Sequence, residues 1–219
     1  MKISPINLRN KYWNQRFEKG EIYSLKPSNF IKKISDYLTS SKKILVVGGG
    51  YGRNAIFLSK KGFEVTNIDI SQKAISIGKR IYDKISNLKF KKMNLFNLQF
   101  KKKFDGVVAI YILSLFTETE LSEIFKQINK TLVDDGKFCA NFLSIEDDEF
   151  GMGKKIGKNL FLYDDGQLVK FYRKNEIKSL FTKNGFTVNK IVKTEEKRYI
   201  DVLNKKINSK SWLVLSRKK

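Results

Sequence analysis

The chain has 219 residues, a net charge of +22, one cysteine and no histidine, and 41% of its residues are apolar. A globular core is therefore within reach, whereas an internal disulfide and any imidazole base or metal ligand are excluded. No apolar run approaches bilayer length and the start, MKISPINLRN, lacks a secretory apolar stretch, so the expectation is a cytoplasmic protein with no membrane partner and no bound metal.

The basic residues fall as scattered doublets, such as Lys32-Lys33 and Lys60-Lys61, at the ends of apolar runs. That is the pattern of a solvated surface. Nucleic acid accordingly ranks behind a small molecule as the expected partner, although the overall charge keeps it in view. The expected assembly is a monomer or homodimer.

Residues 1–40 carry two helix-like pieces, one around NKYWNQRF and one over SNFIKKISDYL, where Ser28 is placed to cap. The run KILVVG then reads as a strand covered on both faces. Arg53 to Lys61 reads as a short helix stopped by Gly62, and FEVTNID as a second strand. Ala74, Ile77, Ile81 and Ile85 recur at helical spacing. LKFKKMNL and FDGVVAIYI predict a third and a fourth strand. Thr117 with Glu120 forms a capping-box pattern ahead of the apolar face Leu121, Ile124, Phe125, Ile128 and Leu132. FCANFL comes next as a fifth strand after the turn DDGK. The stretch 144–166 is too irregular to assign and is expected as a loop insertion. A helix marked by Ile177, Leu180 and Phe181 ends at Gly185, and FTVNKIVKTEE and SWLVLSRK predict an antiparallel pair.

Strands alternating with helices predict an α/β fold. Its sheet is doubly wound, Rossmann-like, seven-stranded and mostly parallel, with the antiparallel pair at its end. The expected organisation is one domain over 1–219, with an N-terminal helical lid over 1–40 and the core over 41–219.

Gly48, Gly50 and Gly52 come after the first strand as G-x-G-x-G, and Asp69 ends the second strand. Glycines let the backbone take positive φ and lie close to a ligand, while a carboxylate at the next strand end can accept from two ribose hydroxyls. A tight strand-to-helix turn with no ligand also uses such glycines. GYGRNA satisfies the permissive dinucleotide pattern, but in that register Gly48 and Gly49 are surplus.

The stretch ILVVGGGYGRNAIFLSKKGFEVTNIDIS resembles the first two motifs of class I S-adenosylmethionine-dependent methyltransferases. Gly52-Arg53-Asn54, with the run AIFLSKKGFEVTNIDIS directly after it, is similar to the tellurite-resistance and thiopurine methyltransferase-like branch, and the likeness runs from about Lys43 to Phe142. The resemblance implies S-adenosyl-L-methionine as cofactor. It places Gly48, Gly49, Gly50 and Gly52 beside the methionine part and Asp69 on the ribose. Ile70, Asn94 and Leu95 would lie near adenine, and Ala109, Ile110 and Tyr111 would form the far wall. Asn54 and Trp13 complete the implied cofactor set; Arg53, Tyr23 and Phe116 are the implied substrate residues. Tyr12, Trp13 and Tyr23 fall in the segment that closes over the cofactor in similar enzymes. Ordinary packing of an amphipathic helix accounts for the same aromatics. Val46 stands where the family usually carries an acid, and Gly49 where it often has Cys, so one anchor for the methionine end is missing.

Methyl transfer from a sulfonium is an in-line displacement, to which proximity and alignment contribute most when the acceptor is already nucleophilic. Without histidine, soft or ionised acceptors are favoured, with a thiol, chalcogen or metalloid ahead; no catalytic base is assigned. An RNA methyltransferase and a nucleotide-binding protein without turnover are the alternatives. Cys139, within an expected strand, reads as a buried small apolar residue.

Overall fold

A computed structural model describes residues 5–20, 24–200 and 205–219, with side chains described within 9–20, 24–197 and 206–219. Two helices lead, α1 over Pro5–Glu18 and α2 over Asn29–Tyr37. The alternating part continues as β1 (Lys43–Val47), α3 (Arg53–Lys60), β2 (Glu64–Asp69), α4 (Gln72–Ile81), β3 (Leu88–Lys92), β4 (Phe104–Ala109), α5 (Glu118–Thr131) and β5 (Leu132–Leu143). A 3₁₀ turn at Leu113–Leu115 links β4 to α5. Three short strands, β6 (Lys154–Gly157), β7 (Leu160–Leu162) and β8 (Leu168–Lys170), precede α6 (Lys174–Lys183), β9 (Phe186–Ile200) and β10 (Lys205–Lys218).

The main sheet has seven strands in the order β3-β2-β1-β4-β5-β10-β9. Strands β1 to β5 pair in parallel, while β10 is antiparallel to both β5 and β9, as the sequence predicts. Strand order reverses between β1 and β4, which opens a crevice at their carboxyl ends.

Alternation along the central strands feeds two apolar layers. Leu45 and Val47 of β1 join the layer that holds Ile124, Phe125 and Ile128 of α5 and Phe181 of α6. Ile44 and Val46 face the layer of Ile31 and Ile34 from α2 and Ala55 and Leu58 from α3. In that second layer Ile44, Ile31, Ile34, Ala55 and Leu58 are fully buried. Phe125 meets Phe138, Phe181 and Phe186 edge-to-face, with Phe125 and Phe181 centroids 4.9 Å apart, while Phe138 and Phe181 stack. Edge-to-face contact suits the ring quadrupoles and adds to the area the rings bury.

Three expectations need correction. The stretch 144–166 holds β6 and β7, which with β8 make a three-stranded antiparallel sheet. Its own small core is Leu143, Phe161, Val169 and Phe171, too few apolar residues per strand for the alternation to stand out in sequence. Strand β4 ends at Ala109 instead of running through Ile112, because Tyr111 takes a left-handed φ of 58° and turns the chain away. Ser28 occupies the position before α2, yet its hydroxyl makes no cap bond; its backbone N–H instead donates to Asn54 Oδ1 at 2.9 Å. The capping box at Thr117 and Glu120 is formed as expected. No described helix is long and apolar enough to cross a membrane.

Candidate cofactor and acceptor site

At the crevice between β1 and β4 lies a cavity of about 570 Å³. Its floor is the loop after β1. Gly48 and Gly50 have φ of 59° and 55°, a backbone state that L side chains rarely adopt. A Cβ on Gly48 would also come within 2.6 Å of Ile112 Cγ1. The loop is tied to β2 by three hydrogen bonds. Gly49 N–H donates to Ile68 O at 3.0 Å, Gly50 N–H to Asp69 Oδ2 at 2.8 Å, and Asn67 Nδ2 to Gly50 O at 3.0 Å.

Asp69 also accepts from Ser71 N at 2.9 Å, through its other oxygen. A carboxylate offers about four acceptor sites, so the group keeps capacity to accept from a ligand in the cavity it lines. Burial raises its carboxyl above the ordinary aspartate range, against the lowering effect of the N–H groups of Ser71, Gly50 and Ile70.

Helix α1 roofs the cavity and is fastened at both ends. Arg9 makes a two-bond ion pair with Glu120 at the start of α5, at 2.7 and 3.0 Å, and its guanidinium lies 4.8 Å from the Phe116 ring centroid. For Glu120, burial would raise the carboxyl, but the Arg9 and Thr117 hydrogen bonds outweigh it and hold the group below the usual glutamate value. Further along, Asn14 Oδ1 accepts from Ser71 Oγ at 2.7 Å and from Lys73 N at 3.2 Å, at the start of α4. Between these ends Tyr12 reaches the β7–β8 turn. Its hydroxyl donates to Asp165 Oδ2 at 2.7 Å and accepts from Arg16 Nη1 at 2.7 Å. Phe17 meets the buried Tyr51 ring edge-on, with centroids 6.1 Å apart.

Of the residues singled out from sequence, Trp13, Gly48, Gly49, Gly50, Arg53, Asn54, Asp69, Ile70, Leu95, Ile110, Tyr111 and Phe116 all line this cavity. Asn54 does so with its carbonyl oxygen already taken by the Ser28 N–H. Gly52, Asn94 and Ala109 do not line it. Gly52, at φ 95°, faces Phe90, whose ring a Cβ would meet at 2.7 Å. Asn94 turns its amide oxygen back on its own chain and accepts from Phe96 N at 3.1 Å. Ala109 is fully buried in the sheet core. Tyr23 lies outside the described residues. Cys139 is fully buried and burial pushes its thiol up, so it is an apolar core residue away from the cavity.

Sequence reasoning missed Arg9, Asp165, Gln167 and Leu168, which line the cavity from α1 and the β7–β8 turn. The one available signal was the Asp165-Gly166 pair, a hairpin-turn dipeptide between short apolar runs. Among the described residues no group of His, Cys, Asp and Glu could hold a metal ion.

A cradle that side chains would fill, an acid with free acceptor capacity and aromatic rings in the roof suit a nucleoside with an extended tail. Gly48 to Gly50, Asp69 and Ile70 are the residues able to hold it. Val46, with an apolar side chain in the wall, offers no charge to an ammonium.

Residues 12–191 match the family described as methyltransferase domain. A protein of Geobacillus sp. (strain WCH70) named as a methyltransferase is 31% identical over 130 residues, a match spanning 57% of this chain and 52% of that protein. The chain thus aligns with about half the length of that relative. Among solved structures, a SAM-dependent methyltransferase from Methanosarcina mazei superposes with a TM-score of 0.71 at 21% identity, over 85% of this chain and 96% of its own. The 1,6-didemethyltoxoflavin-N1-methyltransferase of Burkholderia thailandensis, crystallised with 1,6-didemethyltoxoflavin and S-adenosylhomocysteine, gives 0.73 at 14% identity, over 100% and 92%. At such identities the two structures speak for the fold. Because the family match starts within α1, ends within β9 and takes in the whole parallel sheet, the chain belongs to the methyltransferase domain family.

Proposed function

We propose that the protein is a cytoplasmic enzyme that transfers a methyl group from S-adenosylmethionine to a small-molecule acceptor. The observation that carries this reading is the Gly50–Asp69 contact: a bare loop and a strand-end carboxylate meet in one cavity at the reversal of strand order. When bound, the cofactor supplies an electrophilic methyl on a sulfonium. The chain's own residues would do the rest. Asp69 accepts from the ribose hydroxyls, Gly48 to Gly50 present backbone to the methionine part, Ile70 and Leu95 pack against adenine, and α1 keeps water out. Family membership and the two superposed methyltransferases support the cofactor.

For the acceptor, a thiol, chalcogen or metalloid in ionised form is favoured, in keeping with the tellurite-resistance and thiopurine-like branch. The cavity's charges support this. Arg9 is neutralised by Glu120, and Asp165 faces Arg16 at 3.6 Å. Lys11 and Arg53 line the same cavity with no carboxylate paired to either among the described residues, which leaves positive charge for an anion.

Calorimetry with S-adenosylhomocysteine and with NADH tests the cofactor: tight NADH binding with no response to the homocysteine compound overturns the reading. A radiolabel screen of thiols, selenite, tellurite and nucleobase analogues tests the acceptor, and incorporation into nucleobase analogues alone would move the acceptor class. The +22 charge favours RNA as a second acceptor class. Filter binding that shows no RNA retained at moderate salt removes it.

A further inference from the structure

Gly50 is held through both of its backbone groups by side chains from one strand. Asp69 takes its N–H, and Asn67 donates to its C=O at 3.0 Å. The two residues sit two apart on β2 and therefore share a face of the strand. Asn67 is fully buried, and on the neighbouring strand its register partner is Val46, the position where the resembled family carries its acid. No carboxylate is contributed by β1, whose residues are Lys43 to Val47.

The other end of the same amide explains Gly49. Alone among Gly48, Gly49, Gly50 and Gly52, Gly49 does not have a left-handed φ, so backbone conformation does not demand a glycine there. Space does. A Cβ on Gly49 would lie 1.9 Å from Asn67 Oδ1 and 2.9 Å from its Cγ. That buried oxygen has no hydrogen-bond partner among the described residues. A buried amide with one end unsatisfied is unfavourable for folding, and an apolar residue would serve a central strand better. An asparagine kept at such a position has its use in the end that is satisfied, the bond to Gly50 O.

We propose that Asn67 is a positioning residue for the glycine loop, holding it from β2 where the usual β1 acid is absent, with Gly49 kept bare to accommodate it. The bond orients the part of the loop that would face the methionine end of the cofactor, while Asp69 holds the nucleoside end. The inference rests on the S-adenosylmethionine reading, and its consequence is a split between ligands. Adenosine, which lacks the methionine tail, should not sense Asn67, whereas S-adenosylhomocysteine should.

The test is calorimetric binding of both compounds to the full chain, alongside thermal unfolding. Asn67→Val is expected to weaken S-adenosylhomocysteine at least tenfold, to change adenosine less than twofold and to leave Tm unchanged or raised. A purely structural residue would lower Tm and weaken both ligands together, and that result overturns the proposal. So does S-adenosylhomocysteine affinity within twofold of the parent. Gly49→Ala, made alone and with Asn67→Ala, gives an independent reading should the valine variant fail to fold. The added methyl should weaken S-adenosylhomocysteine in the parent and cost less once the amide is gone, with only the 3.0 Å approach to Val46 Cγ1 left to relieve; additive losses refute the coupling. If the parent protein binds adenosine but not S-adenosylhomocysteine, or binds neither, it is the cofactor reading that fails, and this proposal falls with it.

Discussion

The hydroxyl of Tyr12 donates to Asp165 at 2.7 Å across 153 residues of sequence and closes α1 onto the β7–β8 turn above the cavity. Its partners Arg16 and Gln167 complete a small polar latch, with Tyr12 to Gln167 Oε1 at 3.1 Å. Together with the Arg9–Glu120 pair it holds α1 over the cavity.

Tyr12→Phe keeps the ring and removes the hydrogen bonds. A hydrogen bond to a charged group is worth about 1.5–3 kcal/mol, so the release of S-adenosylhomocysteine should accelerate by about 10- to 150-fold, with a smaller change in association rate. Stopped-flow displacement measures both; an unchanged dissociation rate would mean that exchange takes another route.

Asp69→Ala removes the proposed ribose acceptor. With two hydrogen bonds lost, the cost should be about 3 kcal/mol, or about 100-fold in S-adenosylhomocysteine affinity, in a protein that still unfolds cooperatively. The parent's affinity should also weaken as pH is lowered through the raised Asp69 value, because the protonated group no longer accepts from two hydroxyls. Stability has the opposite sign. Because burial disfavours its charge, ionised Asp69 destabilises the fold, and stability should fall as pH rises from the ordinary aspartate value through the raised one.

Glu120 gives the opposite pH signature. Its value is held down in the folded protein, so the Arg9 pair contributes fully above the unfolded glutamate value and is lost as pH falls through the depressed one. The pair is partly exposed, and its contribution should be below about 1 kcal/mol. Urea unfolding of the parent and Glu120→Gln from pH 7 down to about 3 should show a difference that shrinks toward the acid end. A constant difference would mean that the Glu120 carboxyl is not held down in the folded protein.

Gly48→Ala faces both a left-handed φ of 59° and Ile112 at 2.6 Å. Overpacking of this kind costs about 1–3 kcal/mol, so Tm should fall measurably and ligand binding with it. Pairing it with Ile112→Ala, which removes both the Cγ1 and the Cδ1 contact, should recover part of the packing loss and none of the backbone strain.

Cys139 should be silent toward Ellman's reagent in the native protein at pH 8 and react only on unfolding. The thiol is fully buried and pushed up by burial, so thiolate and access are both lacking. Rapid labelling of the folded protein would contradict its place in the core.

Much of the parallel half was legible because its signals are local. An aliphatic run buried on both faces, a glycine stop and a capping box each act within one turn of chain. Thr117 and Glu120 form their box at the expected residues, and β1 and β2 lie where their apolar runs do. Asn94 stands off the cavity because neighbours in sequence do not decide which way an amide turns: Met93, Leu95 and Phe96 line the cavity while Asn94 caps its own turn. The β6–β8 sheet escaped because its few apolar side chains find partners only after folding, Phe161 against Phe171 at 5.8 Å.

By itself the sequence determined the order of strands and helices of the main sheet, the bare loop after β1 and the acid that ends β2, since each is written in propensities and backbone freedom of adjacent residues. Only the tertiary structure decided that α1 and the β7–β8 turn roof the cavity, that Lys11 and Arg53 line it with no carboxylate paired to them among the described residues, and that Asn67 and Asp69 grip Gly50 together. Those outcomes depend on contacts between residues distant in the chain, whose energies arise from packing and hydrogen bonding that local sequence does not encode.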